Sequence, residues 1–259
     1  MVRLATRLKC IGAVPALLLL LLPLAAIGLQ GQTKITKCPL VITSAGEYVL
    51  ADDLNDCSNG IEIDANDVVL KLAGHRITGG TTQVVNATGI LVQADRVRIL
   101  GPGFISNFKD GHYGIRLFGQ FGRGTQEVTG VTCIEDSRAF VWEEGNAELS
   151  ANIARDDEDG FIIYPAHGLG TVSGNLSEGN QEYGFYASLT GDGPIRMVNN
   201  IAVGNGQYGI YATTYSGKFE FRANSAYGNA IYDLYDAMST CQNKWEHNAY
   251  LTGKGPCID

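Results

Sequence analysis

The stretch from Asn175 to Tyr211 repeats itself at one fixed interval. Asn175 and Asn200, Asn180 and Asn205, Tyr183 and Tyr208, Gly184 and Gly209, and Tyr186 and Tyr211 all stand 25 residues apart. Self-similarity at a period of this size implies stacked structural repeats, each unable to bury its apolar face alone. Within each copy two or three alternating residues are followed by Gly or Asn and then by two or three more. That pattern means short strands joined by sharp corners, and no helical period competes with it.

A Gly-apolar dipeptide counts the copies: Gly60-Ile61, Gly89-Ile90, Gly114-Ile115, Gly160-Phe161, Gly184-Phe185 and Gly209-Ile210, with Ala139-Phe140 and Asp233-Leu234 at the same phase. Spacings of 21 to 29 residues separate them. The expected fold is all-β: a single-stranded right-handed parallel β-helix, a solenoid of about eight rungs. At the strand spacing of about 4.8 Å it forms a rod of roughly 40 Å. Asn152, Asn175, Asn200, Asn224 and Asn248 form one ladder, and Asp156, Asn180, Asn205 and Asn229 a second. Asn tolerates left-handed corners and can bond its amide to the copy above, so these positions read as corners rather than ligands.

Residues 1–31 are expected to be a cleaved signal peptide, with 32–259 as the solenoid domain. Arg3, Arg7 and Lys9 precede an apolar run from Ile11 to Ile27, and Ala26 and Gly28 offer small residues for cleavage. A single membrane anchor is the alternative, since the run approaches the ~20 residues a span needs. An exported chain permits disulfides. Cys38 with Cys57 and Cys241 with Cys257 would each pin one end of the stack, worth roughly 3 kcal/mol per loop. Cys133 is left over and reads as a small buried hydrophobe. The formal charge of −8 without Lys/Arg runs argues against nucleic acid and against an anionic membrane surface. The chain is therefore expected to be secreted, periplasmic or at the cell surface, to be monomeric, and to leave no membrane segment after signal removal.

The repeat, the opening segment Gly46-Glu47-Tyr48-Val49-Leu50…Asp67-Val68-Val69-Leu70…Gly74-His75…Ile77-Thr78-Gly79, and the close Cys241…Trp245…Asn248…Cys257 resemble exported right-handed parallel β-helix repeat proteins. That superfamily includes pectate-lyase-like enzymes, alginate lyases and mannuronan C5-epimerases. The resemblance covers about residues 38–259 and implies a polysaccharide partner.

Strand side chains alternate, so the residue after each Gly points inward and the next outward. One outward column then reads Arg116, Val141, Ile162, Tyr186, Tyr211, Tyr235, and two residues further Phe118, Glu143, Tyr164, Ser188, Thr213. On the other side lie Tyr113, Arg138, Asp159, Tyr183, Tyr208 and Tyr232. Tyr183, Tyr186, Tyr208 and Tyr211 would offer flat faces with hydroxyl edges to sugar rings, or would only stack on one another across rungs.

Uronate chemistry needs a base near neutrality for the C5 proton and a cation on the carboxylate. Tyr164 and His167 as acid and base, with Arg116 and Arg138 on the carboxylate, are the candidates. Glu143 and Asp159 are assigned to substrate binding. The epimerases resembled here carry Tyr-Gly-Phe-Asp-Pro-His, where this chain has Ile163-Tyr164-Pro165-Ala166-His167. Hydrolysis would instead need two carboxylates flanking the bond, for which Glu143 and Asp159 stand on adjacent rungs.

Asp156-Asp157-Glu158-Asp159 raises calcium as a cofactor, yet consecutive acids in a strand cannot all face one ion. No other cofactor is expected, and His75, His112 and His247 are too scattered for a dedicated metal site. The expected function is action on polysaccharide, as a uronan lyase or C5-epimerase. The alternative is a non-catalytic glycan-binding or cell-surface structural module.

Overall fold

In the computed structural model, which describes residues 31–119, 124–191 and 193–258, every regular element is a β-strand. Gly31–Asp259 forms one compact unit. The expectation of a cleaved segment over 1–31 falls, apart from Gly31, outside the described residues. Among the described residues no helix is long and apolar enough to cross a membrane.

The strands wind into a parallel solenoid whose smaller sheet has ten members. In order they are Leu40–Ile42, Ile61–Ile63, Thr88–Val92, Tyr113–Phe118, Arg138–Glu144, Asp159–Ile163, Tyr183–Leu189, Tyr208–Thr214, Tyr232–Asp236 and Gly253–Lys254. The eight in the middle are the eight rungs counted from the Gly-apolar dipeptides. One further strand lies at each end of this sheet. A second sheet of seventeen strands supplies the remaining faces. Its two halves are joined because Val97–Ser106 and Thr125–Ile134, ten residues each, run round the corner without a break.

Inward residues of the smaller sheet stack in register: Ile115 on Phe140, Phe140 on Phe161, Phe161 on Phe185, Phe185 on Ile210 and Ile210 on Leu234. None is more than 1% exposed. The Phe140 and Phe161 rings lie 4.6 Å apart and those of Phe161 and Phe185 4.8 Å apart, the spacing of hydrogen-bonded strands. Covering a phenylalanine by the rungs above and below contributes about 1.5–3 kcal/mol, so adjacent rungs stabilise one another.

The corners carry the polar half of the core. Asn175 Oδ1 accepts from the Asn152 backbone N–H at 2.9 Å, Asn200 Oδ1 from Asn175 at 3.0 Å, and Asn224 Oδ1 from Asn200 at 2.9 Å. Each of these amides also donates from Nδ2 to a strand carbonyl, as Asn200 does to Val172 at 2.8 Å. All four are at most 1% exposed, and the backbone N–H of each is satisfied without water by the next amide of the ladder.

The second ladder differs from its expected register. Asn180 Oδ1 accepts from Asp157 N–H at 3.0 Å, and Asp157 Oδ1 from Asp136 N–H at 2.8 Å. The column is therefore Asp136, Asp157, Asn180, Asn205 and Asn229, not one beginning at Asp156. Asp156 is instead the exposed left-handed residue of that corner, at φ 58°. At Gly160, Gly184 and Gly209 the glycine that opens the rung makes room for this ladder. A Cβ on Gly184 would stand 2.7 Å from Asn205 Nδ2, and one on Gly209 2.6 Å from Asn229 Nδ2.

Disulfides pin both ends. Cys38 pairs with Cys57 and Cys241 with Cys257, with Cα separations of 5.6 and 5.5 Å. Cys133 is buried and unbridged. Burial, reinforced by the charges of Asp136 and Asp157, pushes its thiol well above the usual range, which makes it inert as a nucleophile.

Candidate functional site

The outward face of the smaller sheet gathers most of the expected residues. Parallel register sets Tyr113 beside Arg138 and Arg138 beside Asp159. It also sets Tyr183 beside Tyr208 and Tyr208 beside Tyr232. Arg138 Nε lies 3.7 Å from Asp159 Oδ2. The guanidinium carbons of Arg116 and Arg138 sit 4.8 and 5.6 Å from the centre of the Tyr113 ring, so one tyrosine carries both cations. Its position in the column was legible, but this shared role was not, because it depends on how Arg116 of the same strand and Arg138 of the next rung place their side chains.

Glu143 departs from the expected column. Leu117 pairs with Trp142 but Phe118 with Glu144, so Glu143 is the extra residue of a β-bulge. Bulges re-aim side chains, and here the carboxylate turns back over the sheet. Its Oε2 accepts from Arg116 Nε at 2.9 Å and from Nη2 at 2.6 Å, and its Oε1 accepts from the Tyr164 hydroxyl. At 9% exposure, Glu143 is a strut between Arg116 and Tyr164. Burial opposes charge on Arg116, but the hydrogen bonds and charge of Glu143 outweigh it and raise its pKa. Burial, followed by the hydrogen bond and charge of Glu143, pushes Tyr164 well above the ordinary phenol range. Tyr164 is therefore held as a neutral hydroxyl.

Beside this strut lies a groove of about 410 Å³ lined by Arg138, Asp159, Ile162, Tyr164, Tyr183, Tyr186 and Ser188. Asp159 is the carboxylate among these lining residues. Burial first, and then the charge of Glu182, push it up to about 6 against the pull of Arg138. Its Oδ1 is buried without a hydrogen-bond partner. A carboxyl poised near neutrality beside a cation and a neutral phenol can exchange a proton with a bound molecule.

His167 is not among the residues that line the groove. It is exposed in the loop after the Asp159–Ile163 strand, where its carbonyl accepts from Gly145 N–H at 2.9 Å. Asp156 and Glu158 are exposed while Asp157 and Asp159 are buried, so the acid run points in opposing directions. Among the described residues no three His, Cys, Asp or Glu gather where they could hold a metal.

The tyrosines continue away from the groove as two stacked columns. Tyr186, Tyr211 and Tyr235 lie 5.4 and 5.2 Å apart, and Tyr183, Tyr208 and Tyr232 lie 5.7 and 6.4 Å apart. All six are half-buried. Burial and then Glu182 push Tyr183 up to about 12, so it too stays a neutral hydroxyl. Lys254, which the rung count passed over, closes the stripe 5.9 Å from the Tyr232 and Tyr235 rings.

No curated protein and no solved structure matches the chain. A family model described as the right handed beta helix region matches residues 57–226, from the first disulfide to the next-to-last rung, and the chain belongs to that family.

Proposed function

We propose that the protein acts on a uronate-containing polysaccharide laid along the tyrosine stripe, and that the groove at Asp159 performs proton chemistry at C5. One observation carries the reading: a carboxyl raised to about 6 sits beside Arg138 with one oxygen unpartnered. Arg138 would neutralise the uronate carboxylate, so that charge developing on abstraction is stabilised. Asp159 would take the C5 proton. Tyr164, held protonated by its strut, would deliver a proton either to the departing O4, giving elimination, or to the opposite face of C5, giving inversion. Arg116 and Glu143 are then positioning residues rather than partners of substrate. Glu143 is spent on that strut, which disfavours the two-carboxylate hydrolytic alternative.

Incubation of the mature chain with uronans and neutral glycans, with and without calcium, tests this. Unsaturated-uronate absorbance and C5 proton exchange by NMR are followed together. The expected result is turnover lost by at least 100-fold in Asp159→Asn and in Tyr164→Phe. Turnover undiminished in Asp159→Asn would overturn the assignment of the base.

A second reading has its own support. The tyrosine rings already satisfy one another at stacking distances, and an open stripe binds glycan without chemistry. Absent turnover, together with glycan binding that falls in the Tyr186→Ala/Tyr211→Ala double variant, would favour that module.

A further inference from the structure

The register of the last strand puts a cation where the repeat has been placing tyrosines. Tyr186 pairs with Tyr211, Tyr211 with Tyr235, and Tyr235 with Lys254. Lys254 is exposed, and its Nζ stands 5.9 Å from the centres of both the Tyr232 and Tyr235 rings. Among the described residues no carboxylate forms an ion pair with it. Lys71, Lys109, Lys218 and Lys244, by contrast, each lean on a glutamate within 3.4 Å.

Aromatic faces hold Lys254 over the stripe but do not neutralise it. At the opposite end of the same stripe stands Arg138, five strand steps away along the sheet, which is about 24 Å. The platform therefore has a cation at each end and three rungs of paired tyrosines between them.

We propose that Lys254 is a distal subsite for an anionic sugar, a carboxylate or a sulfate ester, and that with Arg138 it selects acidic chains long enough to reach both. This rests on the reading of the tyrosine stripe as a glycan platform. An extended pyranose chain advances by roughly 5 Å per sugar, close to one rung, so about six sugars span the two cations. Shorter acidic oligomers seated at Arg138 do not reach Lys254, and neutral chains gain nothing from it.

The test is titration calorimetry of the mature protein with acidic and neutral oligosaccharides of three and six sugars, at low and high salt. The acidic set includes one uronate series and one sulfated, carboxylate-free series. Lys254→Met keeps the aliphatic stem over the rings and removes the charge, and Lys254→Arg restores it. The expected result is a threefold to fivefold weaker affinity of Lys254→Met for at least one acidic hexamer. That loss is absent for the trimers and the neutral hexamer, is erased at high salt and is rescued by Lys254→Arg. Whichever acidic series responds identifies the anionic group. Equal loss for acidic and neutral hexamers, or no loss for any acidic hexamer that the unmodified protein binds, overturns the subsite alone. No binding of any acidic oligomer by the unmodified protein overturns both the subsite and the uronate reading.

Discussion

Two acids occupy a ladder built for amides, and replacing them should stabilise the protein in a pH-dependent way. Asp136 and Asp157 are at most 3% exposed and stand one rung apart. Each uses Oδ1 as the asparagines do, accepting a corner N–H at 2.7–2.8 Å, while Oδ2 of each is buried without a partner. Burial raises the pKa of both: the neighbouring Asp157 charge adds to it for Asp136, and two backbone hydrogen bonds oppose it for Asp157. In the unfolded chain an aspartate titrates near 3.9, so keeping one neutral at pH 7 costs about 4 kcal/mol. An asparagine avoids that cost. Its Nδ2 would take the place of Oδ2 and donate along the ladder, as Asn180 Nδ2 does to Asn205 Oδ1 at 2.9 Å.

Asp157→Asn should therefore gain about 2–4 kcal/mol at pH 7, the lower figure allowing for relaxation of the pair. The sign follows from the raised folded pKa. The folded state holds protons that the unfolded state has released, so the wild-type contribution is intact below about pH 4. It is lost as pH climbs toward the folded pKa, by up to about 1.4 kcal/mol per unit. Urea denaturation of the two proteins at pH 4, 5.5, 7 and 8 measures this as a difference, which cancels groups common to both. The gain should vanish at pH 4 and grow with pH. A variant less stable than wild type at pH 7, or a gain independent of pH, would refute the reasoning.

Asn200→Ala should cost about 4 kcal/mol, because it strands two buried groups, the Asn175 N–H and the Val172 carbonyl; the urea midpoint reports it. Asn200→Asp should retain the Oδ1 contact yet create a new alkaline sensitivity of the kind argued for Asp157, visible as a midpoint that falls between pH 5 and 8. Activity, where found, should rise with pH through about 6 as Asp159 loses its proton. The same profile in Asp159→Asn should lack that limb.

The solenoid was readable because its information is local and repeated. Gly-apolar dipeptides mark inward positions, and Asn at 23 to 25 residues marks corners. Each copy confirms the next. Signals failed where one rung differs from its neighbours. The Asp156/Asp157 register slipped by one because consecutive acids offer no contrast, and it is the hydrogen bonds with Asn180 and Asp136 that select between them. Lys254 escaped because the last rung has shortened: it follows Tyr235 by 19 residues, and Gly253 pairs with the inward Leu234.

What the sequence by itself determined is the winding: parallel rungs, the inward aromatic and aliphatic stack, the asparagine corners and the cysteines at the ends. These follow from alternation and period, which strand geometry converts directly into facing. Tertiary structure alone decided the chemistry of the face. It turned Glu143 at a bulge into a strut, left His167 outside the groove, raised Asp159 and set Lys254 over the last tyrosines. Each of those outcomes depends on burial and on partners contributed by other rungs, and a pKa or a side-chain direction has no value until those rungs are stacked.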